Sequence, residues 1–419
     1  MQVFKFGGAS VKDAAGIVNL TEIVLKNQSQ QLLIVVSAMG KTTNALEKLT
    51  HAYVEQSDEM HIIFDEVKQY HYDILHQLFA PGHPVYDEVA NTFVEIEWTI
   101  EDEPQDEFDF IYDQIVSIGE MVSTRIVSAY LNKVGVNSQW LDVRSYINTD
   151  NTYREGMVDW TKTNASICRD VPALLQKCVV VTPGFLGGTS ENFTTTLGRE
   201  GSDYTAAIFA SALQAESVTI WKDVPGILNA DPKLFSDTVK YDELSYAEAI
   251  EMTYYGANVI HPKTIKPLQN AKIPLFVKPF MNPDETGTII TETNFVTFNK
   301  PVIIVKQNQV LLSIYTKDYS FISENHLSDI FGLFAKTNTK VNIMQNSALS
   351  FTVCFDDDKE RFVKLIAGLR PNFSVRYNDQ LSLITVRHYK QELLGEIVAG
   401  RTVLLEQTNR NTVQMVIKA

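Results

Sequence analysis

A lysine, two adjacent glycines and a serine follow the first apolar run of this chain, in the stretch VFKFGGAS at residues 3–10. The run predicts a strand and the residues beyond it predict a helix, so Lys5 and the pair Gly7-Gly8 stand at a strand-to-helix turn. Backbone amides in such a turn, together with the helix N-terminus, form a binding site for an anion. The alternative is a tight turn that binds nothing, and the G-x-G-x-x-G fingerprint of dinucleotide sites is absent.

A second stretch that could do chemistry is TTTLGREGSDYTAA at 194–207, where Arg199 precedes Ser202 and Asp203 at the start of a predicted helix. Arginine is the side chain best suited to hold a carboxylate through two parallel hydrogen bonds. Asp203 could instead merely complement the helix dipole. The run of glycines and polar residues is long for a simple connection, which favours a binding site.

Two further stretches are ambiguous on their own. SAMGKTTN at 37–44 resembles the end of a phosphate-binding P-loop, but Val35 stands where a P-loop needs its first glycine. It nevertheless follows a predicted strand, at the end where open α/β sheets bind ligands. KDVPGILNADPK at 222–233 contains two turn signals and could be a surface hairpin or a loop around a nucleotide base.

The composition excludes several classes of protein. The chain has 419 residues, 45% hydrophobic and 21% charged, which is ordinary for a globular protein of two or three domains. A formal net charge of −15 argues against a nucleic-acid partner. The three cysteines show no metal-like spacing, and no apolar run approaches the roughly 18 residues of a membrane span. Since the opening MQVFKF also lacks the apolar segment of a signal peptide, we expect a cytoplasmic protein without a membrane partner.

The elements that must position these residues alternate between strands and helices, as in a parallel sheet. The helix after the first strand is expected to begin behind Asp13 and to bury Ile17, Leu20 and Val24. From about residue 293 the pattern changes to a β-α-β-β-α-β module followed by a shortened second one. We expect a first domain over 1–292 and a second region over 300–419. Predicted strands of the first domain lie at 2–6, 31–37, 138–143, 178–185, 217–223 and 273–279.

Taken together and in order, these stretches resemble the aspartate kinases of the amino acid kinase superfamily. The resemblance covers essentially the whole chain and depends on KFGGASV, TTTLGREGSDYTA, DVPGILNADP, SIGEMVST at 117–124 and YYGANVIHPKT at 254–264. It implies an α/β catalytic domain of three layers around a central, mostly parallel sheet. It also implies that 300–419 holds tandem ACT modules, which are ferredoxin-like α+β regulatory domains, the second of them shortened.

The resemblance implies that ATP transfers its γ-phosphoryl group to the β-carboxylate of L-aspartate. The product, 4-phospho-L-aspartate, opens the biosynthesis of lysine, threonine, methionine and diaminopimelate. A carboxylate with a pKa of about 3.9 is already an ionised nucleophile, so the site must position two anions and stabilise charge rather than supply a base. The alternatives are another carboxylate kinase of the superfamily and a non-catalytic relative that senses amino acids. Mg²⁺ is expected to arrive on the ATP phosphates, without a dedicated protein metal site.

The resemblance also implies roles for particular residues. Lys5 and Asp203 are the expected catalytic residues. The expected nucleotide-binding residues are Lys5, Gly7, Gly8, Ala9, Ser10, Ser37, Lys222, Asp223, Leu228 and Lys233. The expected aspartate-binding residues are Thr43, Glu120, Phe185, Arg199 and Ser202.

Three positions near the predicted nucleotide site depart from the family pattern. Ala9 replaces a threonine, Asn258 a lysine, and Lys222 a threonine. We therefore expect Lys222, or alternatively Lys263, to supply the cation that is missing at position 258.

The predicted regulatory region also departs from its lysine-sensitive relatives. Asn342 and Ala348 replace two acidic residues of the lysine pocket, so weak or absent inhibition by lysine is expected. Since ACT modules bind amino-acid effectors, the resemblance still implies an amino-acid effector at this region. The family resemblance further implies a homodimer or a higher homo-oligomer, paired through the C-terminal modules.

Overall fold

The structure is a computed structural model, and it describes residues 1–257, 260–293 and 300–418. The chain forms two compact units. The first comprises Met1–Ile227, Lys240–Ile250 and the described residues between Val259 and Val296. The second comprises Leu228–Val239 and the described residues of Glu251–Asn258 and Thr297–Ala419. Within the described residues, we find no helix that is long and apolar enough to cross a bilayer.

Ten strands precede the gap in the described residues that begins after residue 293. They are β1 (Gln2–Phe6), β2 (Leu32–Val36), β3 (Ser138–Trp140), β4 (Val179–Pro183), β5 (Leu186–Gly188), β6 (Thr194–Thr196), β7 (Ser217–Lys222), β8 (Glu243–Ser245), β9 (Leu275–Pro279) and β10 (Thr288–Thr291).

Ten α-helices are interleaved with these strands. They are α1 (Ala14–Asn27), α2 (Thr42–Val54), α3 (Met60–Leu78), α4 (Val85–Glu101), α5 (Phe108–Val116), α6 (Ile118–Lys133), α7 (Trp160–Leu175), α8 (Gly201–Leu213), α9 (Tyr246–Tyr254) and α10 (Pro262–Ala271).

The first unit is built on an eight-stranded sheet with the order β3-β4-β2-β1-β7-β9-β10-β8. Strand β1 lies in its middle and is parallel to both neighbours, with Phe6 opposite Val36 of β2 and Trp221 of β7. Only β10 runs antiparallel to its neighbour β9 among the described pairings of this sheet. The carboxyl ends of β1, β2, β4 and β7 therefore meet at one edge, where such sheets bind ligands.

Helices cover both faces of this sheet. Phe4 and Phe6 point into a large apolar core shared with α1 to α6, whereas α8 packs against β1, β2 and β7. Since side chains alternate along a strand, Lys5 faces the side opposite Phe4 and Phe6, which is the side of α8. The predicted three-layer arrangement around a mostly parallel sheet is confirmed.

The helix that follows β1 forms as its sequence predicts. The side chain of Asp13 accepts a hydrogen bond from the Gly16 amide at 2.8 Å and so caps α1. Ile17, Leu20 and Val24 are fully buried. The prediction of a strand over 138–143 was too long, because β3 ends at Trp140 and the chain then makes a 3₁₀ turn over Val143–Ser145.

The second unit contains a six-stranded antiparallel sheet with the order β12-β13-β11-β14-β16-β15. The chain order β11-α11-β12-β13-α12-β14 is the predicted β-α-β-β-α-β module, and the far half of β14 continues into the shorter second module, α13-β15-β16. The α+β architecture of this region is confirmed. The elements are β11 (Val302–Thr316), α11 (Glu324–Lys336), β12 (Val341–Asn346), β13 (Ser350–Asp356), α12 (Lys359–Leu369), β14 (Phe373–Arg387), α13 (Gln391–Val398), β15 (Thr402–Thr408) and β16 (Thr412–Lys418).

Residues 228–239 belong to the second unit although they follow β7 of the first. The Ile303 amide donates to the Asn229 carbonyl at 2.7 Å, and the Asn229 side chain donates to the Pro301 carbonyl at 3.1 Å. Ala230 is buried in the apolar core of the second module, together with Ile303 and Ile384. This part of the predicted nucleotide loop is thus held by the C-terminal sheet.

Asp113 of α5 is a buried acid that positions β6. Its carboxylate accepts the Thr196 amide at 2.9 Å, the Thr196 hydroxyl at 2.7 Å and the Arg154 amide at 2.8 Å. Burial raises the pKa of Asp113 to about 6, although these hydrogen bonds act in the opposite direction. Because β6 leads directly into residues 197–203, Asp113 fixes the position at which that segment begins.

Replacing Asp113 by Ala should lower the free energy of unfolding by about 3 kcal/mol, because buried donors lose their acceptor. Urea denaturation checks this. Asp109→Ala on the same helix is the matched control, since the Asp109 side chain is 58% exposed and its ion pair with Arg154, at 3.5 Å, lies at the surface. The control should cost less than about 1 kcal/mol. Equal losses for the two variants would contradict the assigned role.

Candidate active site

The centre of the candidate site is an ion pair between Lys5 and Asp203. Lys5 is the fourth residue of β1, and Asp203 lies in the first turn of α8. The Lys5 Nζ and Asp203 Oδ1 atoms are 2.7 Å apart, and the two side chains are only 11% and 3% exposed. Lys222, the last residue of β7, places its Nζ 3.9 Å from Asp203 Oδ2. One buried carboxylate is therefore shared by two ammonium groups from adjacent strands.

These two lysines decide the protonation state of Asp203. Burial alone would raise the pKa of this carboxyl, but the charges of Lys5 and Lys222 outweigh it and hold the pKa below its usual value. The N-terminus of α8 also favours a negative charge in its first turn. Asp203 is therefore an anion near neutral pH, despite its burial.

The paired glycines beside Lys5 are explained by two close approaches. A Cβ on Gly8 would lie 2.7 Å from the Ala38 carbonyl oxygen, which no side chain tolerates. The Gly40 amide donates to the Gly8 carbonyl at 3.0 Å, so the loops after β1 and β2 are joined through their backbones. A Cβ on Gly7 would lie 3.4 Å from Lys5 Nζ, so the bare side of Gly7 borders the ammonium group.

Glu120, in the first turn of α6, is the second buried acid of the site and is 3% exposed. Its carboxyl accepts the Ala38 amide, and its Oε2 atom is buried without a hydrogen-bond partner among the described residues. Burial raises the pKa of Glu120 to about 8, although the Ala38 amide and the charge of Lys5 oppose this shift. Ser123, one turn further along α6, donates to the Ser37 carbonyl at 2.7 Å and ties α6 to the end of β2. Glu120 is thus a neutral acid with an unused acceptor.

Two residues with a strained backbone, in different loops, form another part of the site. Phe185, half-buried after β4, has a φ of +72°, and Glu200, just before α8, has a φ of +54°. Non-glycine residues in this left-handed region cost about 1–3 kcal/mol and are held only by their surroundings. The Phe185 amide donates to the Thr205 hydroxyl at 3.0 Å, and the Glu200 carboxylate accepts the His261 amide at 2.8 Å. These contacts fix the backbone on either side of Ser202, which is buried in the first turn of α8.

The other predicted residues of the first unit differ in how far they are exposed. Ser37 follows β2 and is half-buried, as is Thr43 in the first turn of α2. Ser10 is buried, and its amide donates to the Gly7 carbonyl at 2.9 Å. The exposed residues are Ala9, Arg199 and Asp223.

Three further positions from the sequence analysis are not among the described residues of the first unit. Leu228 and Lys233 lie in the second compact unit. Asn258 lies outside the described residues. Of the two lysines considered as its replacement, Lys222 lies beside Asp203, whereas Lys263 is exposed in the first turn of α10.

Sequence reasoning missed two supporting residues. Glu200 lies within the glycine-rich run, and the sequence predicts no separate role for it. Nothing in the sequence indicates that its carboxylate accepts the His261 amide. Asp113 gave a signal that could have been used, because it interrupts the apolar stretch FDFIYDQIV on the face of α5 that is buried. An acid at a buried helical position needs donors, and β6 supplies them.

The second unit has a polar cluster at the predicted effector region. The Asn342 side chain donates to Gln309 Oε1 at 2.8 Å and to Asp356 Oδ1 at 3.1 Å. Its Oδ1 atom accepts the Lys306 ammonium at 2.8 Å. Ala348 is exposed, and its carbonyl accepts the Ile322 amide at 2.9 Å. Both polar side-chain atoms of Asn342 are therefore engaged by the chain itself.

The arrangement of the first unit can bind anions and one cation. Two ammonium groups, the glycine-rich backbone and a helix N-terminus provide positive charge at the edge of the sheet. Glu120 can accept a hydrogen bond from an ammonium group. Over residues 1–257, 260–293 and 300–418, no three His, Cys, Asp or Glu side chains come together as a site for a metal ion.

Comparisons with known proteins identify the family of this chain. The model of the amino acid kinase family matches residues 1–279. The chain is 32% identical to the lysine-sensitive aspartokinase 3 of Escherichia coli (strain K12) over 357 residues, which cover 84% of this chain and 78% of that one.

Two crystal structures of E. coli aspartokinase III are similar over nearly the whole chain. The R-state complex with aspartate and ADP matches with a TM-score of 0.85 and 27% identity, covering 100% of this chain and 96% of that one. The T-state complex with lysine and aspartate matches with a TM-score of 0.82 and 28% identity, covering 99% and 95%. The chain therefore belongs to the amino acid kinase family and, within it, to the aspartokinases.

Proposed function

We propose that this protein transfers the γ-phosphoryl group of ATP to the β-carboxylate of L-aspartate. The observation that carries this proposal is the pairing of a buried, anionic Asp203 held by lysines with a buried, neutral Glu120 whose Oε2 has no partner among the described residues. Asp203 holds the ammonium groups of Lys5 and Lys222 where they can contact phosphates. The Oε2 atom of Glu120 is available to accept a hydrogen bond from the ammonium group of an amino acid.

Lys5 contacts the transferring phosphoryl group and stabilises the charge that develops on it. The amides of Gly7, Gly8 and Ala9 line the phosphates, and Ser10, whose amide already donates to the Gly7 carbonyl, contributes its hydroxyl in this proposal. Since the aspartate carboxylate is already ionised, no residue needs to act as a general base. The rate enhancement then comes from holding two anions together in a site that neutralises them.

Aspartate is held by residues from helices α2, α6 and α8 and from the connections that precede β5 and α8. Glu120 accepts its ammonium group, and Arg199 binds its α-carboxylate. Support for Glu120 comes from its burial at the N-terminal end of α6, beside the loop after β2. The remaining residues that line the aspartate pocket in this proposal are Thr43, Phe185 and Ser202.

The nucleotide extends from Lys5 towards the segment after β7. In this proposal it contacts Ser37, Lys222, Asp223, Leu228 and Lys233. Mg²⁺ arrives with ATP and neutralises part of the phosphate charge when bound. It is held mainly by phosphate oxygens and water, which suits a site whose central carboxylate, Asp203, is already engaged by two lysines.

We also propose the remaining organisation of the protein. Residues 1–292 form the catalytic domain and residues 300–419 form the ACT-like regulatory region, which pairs subunits into a homodimer or a higher homo-oligomer. An amino acid is the effector of that region. The cytoplasmic location stays a prediction.

Trapping the acyl phosphate with hydroxylamine tests the reaction. With ATP and Mg²⁺, aspartate should give a hydroxamate, whereas glutamate and N-acetylglutamate should give little. Preference for one of those two acids would identify another carboxylate kinase. If none of the three is turned over, the proposed activity is wrong and an amino-acid sensor is favoured.

The pKa of Glu120 predicts how aspartate binding depends on pH. Below about pH 8 the free protein keeps a proton on Glu120, which the aspartate ammonium must displace. The KM for aspartate should therefore fall by up to about tenfold per unit as the pH rises towards 8, and level off above it. The KM for ATP should follow this trend far less. Steady-state kinetics between about pH 6.5 and 8.5 measure both constants.

Glu120→Gln separates this effect from general titration of the protein. The variant should bind aspartate weakly at every pH and lose the pH dependence of its KM. Glu97→Gln is the matched control, because Glu97 is about half exposed on α4. It should keep the wild-type profile, and a pH-dependent aspartate KM in Glu120→Gln would contradict the proposal.

Lysine should inhibit this protein weakly or not at all. The two acids of the lysine pocket are replaced by Asn342 and Ala348, and Lys306 already occupies the Oδ1 atom of Asn342. Even Asn342→Asp should restore little inhibition, because Lys306 would pair with the new carboxylate. Activity assays at increasing lysine concentrations test both the wild type and the Asn342→Asp variant. Complete inhibition of the wild type below about 1 mM lysine would refute this prediction.

A further inference from the structure

The second unit contains an apolar cavity of about 440 Å³ beside helix α13. Its walls come from β11, β14, β16, α13 and the segment 228–239. The apolar side chains that line it include Leu234, Ile303, Ile384, Leu393, Ile397 and Ile417. A volume of this size is usual for a small-molecule site, and such sites are mostly apolar with a few polar groups. The cavity is therefore large enough to hold one small molecule.

This cavity is separate from the polar cluster around Asn342. Val305 and Gln307 of β11 line the cavity, whereas Lys306 between them donates to Asn342 Oδ1 at 2.8 Å. Since neighbouring side chains on a strand point to opposite faces of a sheet, the cavity and the polar cluster lie on opposite faces. A ligand in the cavity does not need the two acids that are missing from the predicted lysine pocket.

The cavity exists because the shortened second module covers its sheet incompletely. The first module packs both α11 and α12 on its sheet. Across residues 381–418, all of which the structure describes, α13 is the one helix. Leu234 and Phe235 border the cavity as well, but the Leu234 side chain stays 45% exposed. Apolar surface that remains in contact with water favours an apolar occupant.

Two side chains of opposite charge also border the cavity, and both are exposed. Glu396 lies in the last turn of α13, and Arg401 follows the helix, where its guanidinium donates to the Ile397 carbonyl at 2.9 Å. Neither side chain forms an ion pair with any residue in the part of the chain that the structure describes. A molecule with one ammonium and one carboxylate group complements this pair. The apolar walls then select an uncharged side chain, because a charge buried there would lose its hydration.

We propose that this cavity binds a free amino acid with an aliphatic side chain of about the size of leucine. Glu396 contacts its ammonium group and Arg401 contacts its carboxylate, while the side chain fills the apolar space beside α13. Opposite charges at the rim and an apolar interior together distinguish such a molecule from lysine, from a fatty acid and from an alkyl amine.

The bound amino acid changes the affinity for the nucleotide through the segment 228–239. Leu234 and Phe235 line the cavity and directly follow Lys233, which contacts the nucleotide in the proposed function. An occupant that packs against these two side chains therefore biases the position of the segment. This part of the inference rests on the proposed function. The coupling is reciprocal, so the nucleotide must change the affinity for the amino acid by the same factor.

Calorimetric titration of the full chain tests the binding site. Leucine and norleucine should bind with a Kd below about 1 mM. Lysine carries an ammonium group at the end of the norleucine side chain, and it should bind at least about tenfold more weakly. Isoamylamine and 4-methylpentanoate, which are leucine without its carboxylate and without its ammonium group, should also bind at least about tenfold more weakly. Equal affinity for lysine and norleucine would overturn the inference, and so would no binding of leucine.

Variants at the cavity locate the bound amino acid. Ala399→Trp, at an exposed position on the cavity wall, should fill the space and abolish leucine binding. Glu396→Gln and Arg401→Gln should each weaken it at least about fivefold. Glu392→Gln is the matched control, because Glu392 is exposed in the first turn of the same helix, and it should stay within about twofold of the wild type. Thermal unfolding reports whether each variant folds, and wild-type leucine affinity in the folded cavity variants contradicts the assigned site.

Titration with ADP, with and without saturating leucine, tests the coupling. Leucine should change the Kd for ADP at least about twofold in the wild type and leave it unchanged in Ala399→Trp. An ADP affinity that does not respond to bound leucine would overturn the coupling. A protein that binds leucine in the cavity but forms no aspartyl phosphate would refute the proposed reaction and leave the amino-acid site standing.

Discussion

The buried ion pair between Lys5 and Asp203 constrains the rest of the first unit. Two charges that are nearly shielded from water lose their hydration, and only close mutual contact offsets that loss. The end of β1 and the first turn of α8 must therefore stay within hydrogen-bond distance, here 2.7 Å. The central position of β1 and the packing of α8 on it supply that rigidity. A shift of either element would leave an uncompensated charge in the core.

The same surroundings put two acids in opposite states of protonation. Asp203 is an anion because two ammonium groups outweigh its burial. Glu120 is equally buried, but the Ala38 amide and the more distant charge of Lys5 do not outweigh its desolvation, and its pKa rises to about 8. Paired acids whose environments drive their pKa values apart are characteristic of sites with divided roles. At neutral pH Asp203 is an anion paired with two lysines, whereas Glu120 keeps its proton and, in the proposed function, loses it when the ammonium group of aspartate binds.

Periodicity and turn chemistry were enough to predict the long elements. The cap at Asp13, the buried stripe of α1 and the order of modules after residue 300 all follow from local patterns. Strands of three residues, such as β5 and β6, are too short to show a period, and they were missed. Sequence motifs predicted which residue types belong to the site. They did not predict that lysines from two strands share the Asp203 carboxylate. That contact joins segments far apart in sequence, and only the sheet register brings them together.

The segment 228–239 has a consequence for how the chain can be divided. It follows β7 of the kinase sheet, yet Ala230 packs in the apolar core around Ile303 and Ile384, and Asn229 bonds to the backbone on either side of the start of β11. The unit that carries the C-terminal sheet is therefore discontinuous in sequence. A chimaera that exchanges C-terminal regions between relatives has to exchange residues 228–239 as well, and so inherits part of its donor's proposed nucleotide loop.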